Sequence, residues 1–247
     1  MRLSAALLVG LGRGNRQSRP WIVSDELWSL IEPLLPKPGP KKVKGRPRVP
    51  DRQALCGILF VLHTGIQSEY LPQELGFSSG MTCWRRLAAW NEACVWDHLH
   101  VLLLEKLRSK NQLDWERAVI DFSHVRAARR GPKSGPSPVD RARPGSKHHL
   151  IVDGQRVPLA VSLTRGYDHD KYRRLLRQRG IRPVIAKRGE PHGTGLGIFR
   201  YVVERTIAWL HGFRRLRIRW ERRDDIHEAF LGLAVCVITH RHVQRLC

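Results

Sequence analysis

Two acidic residues stand in settings that do not tolerate a lone carboxylate. Asp121 interrupts the apolar run Val119-Ile120-Asp121-Phe122, and Glu204 follows Tyr201-Val202-Val203 in a stretch of helical periodicity. Burying an unpaired carboxylate is strongly unfavourable, so Asp121 must be paired, protonated or bound to a cation. Ion pairing is one answer. Arginine supplies 34 of the 44 basic residues, and Arg200 precedes Glu204 by four positions, the spacing of a helical ion pair. The other answer is catalytic: two carboxylates on separate core elements could hold Mg2+ or Mn2+ for attack on a phosphodiester, with the cations around them suited to phosphate. Spacing alone leaves both open.

The charge balance narrows the partner. Lys and Arg number 44 against 22 Asp and Glu, a formal net charge of +22. Such self-repulsion is relieved by a polyanion, which points to nucleic acid or an anionic surface. The excess is uneven: residues 1–50 carry 10 basic and 3 acidic residues, 51–110 carry 6 of each, and 111–247 carry 28 and 13. The longest apolar run, Ala229 to Ile238, is about half a membrane span, so membrane anchoring is not expected. Leu3 to Val9 is short for a signal sequence and no A-x-A site follows it. The five cysteines include no C-x-x-C pair, which argues against a disulfide framework or zinc site and for a reducing, cytoplasmic setting.

The elements that must position these groups fall into two regions. Leu34 to Pro50 reads as an extended, proline-rich basic linker; within it, Gly45-Arg46-Pro47-Arg48 either lies in a minor groove, with Arg46 and Arg48 as DNA contacts, or is simply solvated. Residues 51–110 are helical by periodicity, with Asp51 as an N-cap and Leu55, Ile58, Leu59 and Leu62 on one face. A short second helix is expected over Leu71 to Leu75, ending at Gly76, then helices over Met81 to Asn91 and Val95 to Leu107. The helix carrying Arg85 and Arg86 follows a Gly-containing turn. This is either a helix-turn-helix, with both arginines on DNA, or an ordinary helical bundle. From Arg117 onward strands appear: Arg117 to Ser123, His149 to Val152 and Val157 to Leu163, with Gly154 turning the last two into an antiparallel meander. A helix over 168–179, a strand over 183–186, and helices over 199–211 and 225–243 complete an α/β sheet with helices packed on it.

Several motifs appear in order: Asp121-Phe122-Ser123-His124-Val125-Arg126-Ala127, then Gly135 to His149, Arg165-Gly166-Tyr167-Asp168, Val203-Glu204-Arg205-Thr206 with Trp209-Leu210, and Phe213-Arg214-Arg215-Leu216-Arg217-Ile218-Arg219. Together they closely resemble bacterial insertion-sequence transposases of the insertion-sequence-five group, from about Trp21 to the C-terminus. The resemblance implies a helical DNA-binding domain over 21–110 and an RNase H-like mixed sheet flanked by helices over 111–247, with residues 1–20 as an N-terminal extension. It implies DDE chemistry, in which Asp121 and Glu204 hold Mg2+ or Mn2+ while Arg200 orients the Glu or contacts phosphate. Lys147, within Gly131 to His149, and Arg214, Arg215 and Arg217, within Arg214 to Arg223, would steer DNA. The implied partners are the element's terminal inverted repeats and target DNA, in the bacterial nucleoid, with self-association compatible.

One departure matters most. In the family a second Asp ends the fourth sheet strand directly before Arg-Gly-Tyr, whereas here Leu163-Thr164 runs straight into Arg165-Gly166-Tyr167. A helix–strand unit of a few tens of residues is missing near 164/165, and Thr164 fills the slot of the Asp. Asp168 and Asp170 are the nearest acids, but a helix start accounts for them as caps. The expectation is a transposase copy deprived of catalysis, with a non-catalytic DNA-binding remnant as the alternative.

Overall fold

Helix boundaries in the first region follow local capping chemistry. In a computed structural model, which describes residues 19–37, 39, 47–114, 118–137, 140–165 and 200–246, Ser24 accepts a hydrogen bond from Leu27 N and opens α1 (Asp25–Ile31), whose first turn carries Asp25 and Glu26. Helix α2 spans Asp51–Thr64. Asp51 is its first residue rather than its cap; the N-cap is Pro50. Its carboxylate holds Arg48 and Arg86 instead. The helix expected over Leu71 to Leu75 is replaced by two 3-10 turns, Ser68–Tyr70 and Gln73–Leu75. Pro72, between them, fixes φ and has no N–H to continue a helix. Ser79 then caps α3 (Gly80–Glu92), and α4 follows at Val95–Ser109.

The second region is a mixed sheet. Strand β1 (Ala118–Ala127) pairs antiparallel with β3 (Pro144–Asp153), whose other edge carries β4 (Pro158–Thr164); the short β2 (Gly135–Pro136) also pairs with β3. The three-strand meander is as expected, with β1 and β3 longer and β4 shifted by one residue. Two short strands were not anticipated. One is β2; the other is β5 (Ile218–Arg219), which runs parallel to β1 at Arg126 and Ala127. Helix α5 (Arg200–Gly212) packs against β1 and β3, and α6 (Asp224–Leu246) packs against α4 and β4.

Period-two alternation gives the sheet two distinct faces. Val119, Leu150, Val152 and Val161 lie on one and join the main core with Val202 and Val203 of α5. Ile120, Ile151 and Ala160 lie on the other, under Leu104, Leu107 and Leu113. The main core is continuous across residue 110: Leu55, Leu62, Leu87 and Leu99 share it with Phe213, Phe230 and Val235. The elements expected over 168–179 and 183–186, together with residues 1–18, Arg46, Asp168 and Asp170, lie outside the described residues.

Candidate functional site

Asp121 pairs in register with Leu150, so its side chain stands on the face that meets α5. It is half-buried, and Phe122 N donates to its Oδ1 at 2.8 Å. Helix α5 lies against β1, so Asp121 and Glu204 ride on packed elements. Their surroundings differ. Val202, Val203, Thr206 and Leu210 form the buried stripe of α5, whereas Tyr201, Glu204, Arg205 and Ala208 form its exposed stripe. Arg200 is the first residue of that helix. Among the described residues, no three His, Cys, Asp or Glu side chains gather where they could hold a metal ion.

Thr164, in the slot of the missing Asp, ends β4 opposite Lys147. That parity puts it on the sheet face away from Asp121, where its hydroxyl meets His149 Nε2 at 2.7 Å. Asp153 is the last residue of β3, at the turn into β4. It accepts from Val157 N, Gln155 N and Asp114 N, and burial raises its carboxyl to about 6 despite these bonds.

The cations divide into two classes. Arg85, Arg126, Arg129, Arg130, Arg141, Arg143, Arg214 and Arg217 are exposed, and Lys147 lies 4.7 Å from the Phe122 ring centroid. Two of the arginines expected on DNA are turned inward. Arg86 pairs with Asp51 and reaches Val49 O. Arg215, 5% exposed, grips Glu221 through Nε at 2.7 Å and also donates to Ile66 O at 2.7 Å. Neither can meet a phosphate while these contacts hold. Arg217 is exposed, with its Nε donating to His211 O at 2.7 Å.

Arg215 belongs to a buried polar chain that the sequence did not reveal. Glu221 Oε2 lies 3.2 Å from His227 Nδ1, and His227 Nε2 lies 2.8 Å from His148 Nε2, with the two rings stacked. Burial first, and then the neighbouring histidines and Arg219, push the His148 imidazole well below its ordinary value. Because the Glu221 carboxylate can only accept, His227 Nδ1 carries the proton of that bond, and a second hydrogen bond joins His227 Nε2 to His148 Nε2. Burial alone would raise the Glu221 carboxyl, but the hydrogen bond from His227 and the charge of Arg215 hold it below the usual range. Arg219, fully buried, donates to Pro132 O at 2.6 Å, Ser146 Oγ at 2.9 Å, Glu221 O and Arg222 O. Gly131, at φ +107, makes room here, since a Cβ would lie 2.1 Å from Arg222 O. The spelling Arg215-Leu216-Arg217-Ile218-Arg219 gave no signal of it, since Arg215 lies in a 3-10 turn (Arg214–Leu216) and Arg217, of the same parity as Arg215 and Arg219, is exposed.

A family model described as "Putative transposase of IS4/5 family" matches residues 23–100, the span from α1 into α4. A Burkholderia cepacia protein named "Putative transposase for insertion sequence element IS402" is 48% identical over 151 aligned positions, which cover 46% of this chain and 72% of the relative. The chain belongs to the insertion-sequence transposase family. A second Burkholderia cepacia relative, "Insertion element IS402 uncharacterized 16.2 kDa protein", is 55% identical over 119 positions, covering 47% of this chain and 81% of the relative. No solved structure matches this transposase. None of its described helices is long and apolar enough to cross a membrane.

Proposed function

We propose that this chain is a DDE-type transposase that binds the ends of its insertion element but does not cleave them. The sheet would be an RNase H-like core that has lost one helix–strand unit. In a complete site, divalent cations would activate the attacking hydroxyl and neutralise the phosphate. Here Asp121 and Glu204 offer two carboxylates, with no third donor gathered near them among the described residues. A metal pair about 3.5–4 Å apart needs more ligands than that, placed accurately, and the described residues do not complete such a centre. What the chain retains is an excess of exposed arginine for phosphate.

The observation that carries this reading is Thr164. It occupies the expected position of the second Asp, yet it lies on the sheet face away from Asp121 and is engaged by His149. Alignment length supports the missing segment: the match to the IS402 transposase spans 151 positions but takes up 46% of these 247 residues, about 114, so about 37 positions of the relative face no residue here. The test is strand cleavage of element-end DNA with Mg2+ or Mn2+. Binding without nicking is expected; metal-dependent nicking abolished by Asp121→Ala would overturn the defect.

A further inference from the structure

The buried polar chain ends on atoms that no side chain satisfies. It starts at the helical region, where Arg215 donates to Ile66 O, and runs through Glu221 and His227 to His148 Nε2. The other ring nitrogen of His148, Nδ1, is buried and has no hydrogen-bond partner among the described residues. His148 pairs in register with Ser123, so the two side chains stand on one sheet face with their Cβ atoms about 4.5–5.5 Å apart. The Ser123 hydroxyl is also buried and unpartnered, and so is Nε2 of His211, near the end of α5. His211 faces the same place: after burial and His227, its charge is the next to lower the His148 imidazole. With His148 1% and Ser123 8% exposed, bulk solvent does not reach their orphaned atoms.

Buried polar groups are nearly always hydrogen-bonded, and an orphan bears its full desolvation penalty. Three orphans on packed elements point to one shared partner. We infer that a single ordered water is bound between His148 Nδ1 and Ser123 Oγ, with His211 Nε2 as its third partner. Water suits this donor set. Each imidazole nitrogen either donates or accepts according to its tautomer, a hydroxyl does both, and water can answer any of these assignments. Three polar partners are also the usual complement of a buried water. A metal ion suits it poorly, because no three metal-ligating side chains gather among the described residues and Arg219 adds positive charge nearby. The water completes a hydrogen-bonded chain from Ile66 O in the helical region to Ser123, two residues beyond Asp121 on the same sheet face. The strand carrying Asp121 is thereby tied to the helical region by polar contacts as well as by the shared apolar core.

High-resolution crystallography of the full wild-type chain tests this directly. One well-ordered water within hydrogen-bonding distance of both His148 Nδ1 and Ser123 Oγ is expected. A dry gap, or a direct bond between the two residues, would overturn it. Urea unfolding gives an independent reading whose sign differs between the two cases. Ser123→Ala deletes only the hydroxyl. Where water is bound, the variant takes away one of its partners and the urea midpoint falls. Where the site is dry, the variant removes an unsatisfied group and the midpoint rises. Ser123→Thr keeps a hydroxyl and should lie closer to wild type than Ser123→Ala does. A Ser123→Ala midpoint at or above that of wild type counts against bound water. Neither measurement involves DNA, so this inference and the end-binding reading stand or fall separately.

Discussion

The helical region and the sheet region treat their arginines in opposite ways. In residues 51–110, basic and acidic residues are equal in number and Arg86 is held by Asp51, so one exposed arginine, Arg85, stands out on α3. Residues 111–247 carry a large basic excess, yet two arginines of the Arg-rich segment, Arg215 and Arg219, are buried as struts. Position in a run of like charges therefore says little about function. What decides is the local backbone: Arg215, Arg217 and Arg219 alternate in sequence, yet Arg217 is exposed while Arg215 and Arg219 reach buried carboxylates and carbonyls.

The largest test of this contrast compares neighbouring arginines. Arg215→Ala leaves Glu221 and His227 buried without their cation, and a loss of about 3–5 kcal/mol in urea unfolding is expected. Arg214→Ala, on the exposed neighbour, should stay within about 0.5 kcal/mol of wild type while lowering the salt slope of DNA binding by about 1. Equal stability of the two variants would erase the distinction between strut and DNA contact.

An intermediate effect is expected from acid. His63 of α2 packs on Phe213 across the joint between the regions, and burial, then Arg241, lowers its imidazole to about 4. His242, beside Trp209, is lowered to about 4 by burial and by Arg245 and Arg156. The unfolded chain takes up these protons first, so their stabilisation is complete above pH 6.5 and is lost as pH falls from 6.5 through about 4. Asp153, raised to about 6, works in the opposite direction over nearly the same range. With two histidines against one carboxylate, the urea midpoint should fall on acidification, and His63→Gln should flatten that fall.

The smallest expected effect is none at all. Thr164→Asp should not create metal-dependent cleavage, because the new carboxylate would face His149 on the side of the sheet away from Asp121. Nicking by this variant would show that the second acid can be restored without the missing unit.

Much of the architecture was legible from pattern. The apolar repeat Leu55, Ile58, Leu59, Leu62 marks the buried side of α2, and the turn at Gly154 marks the β3–β4 hairpin. Capping was less legible. Asp51 reads as a cap, but it is the first residue of α2 and its carboxylate pairs with Arg48 and Arg86. The candidate acids were legible as residue types, and their ordered motifs pointed to the transposase family, which the relatives bear out. Their spatial relation was not legible, because alternation within one strand does not say which face an incoming helix will cover.

By itself, the sequence determined the longer helices and strands, the charge excess and the family, all of which depend on residue type and on spacing of a few positions. Only the tertiary structure decided which cations are solvent-facing and which are struts, and that Thr164 and Asp121 occupy opposite faces. Those outcomes depend on strand register and on contacts between residues as distant as Ile66 and Arg215, or His148 and His227. Local spacing cannot encode them, since burial is a property of the assembled core rather than of any segment within it.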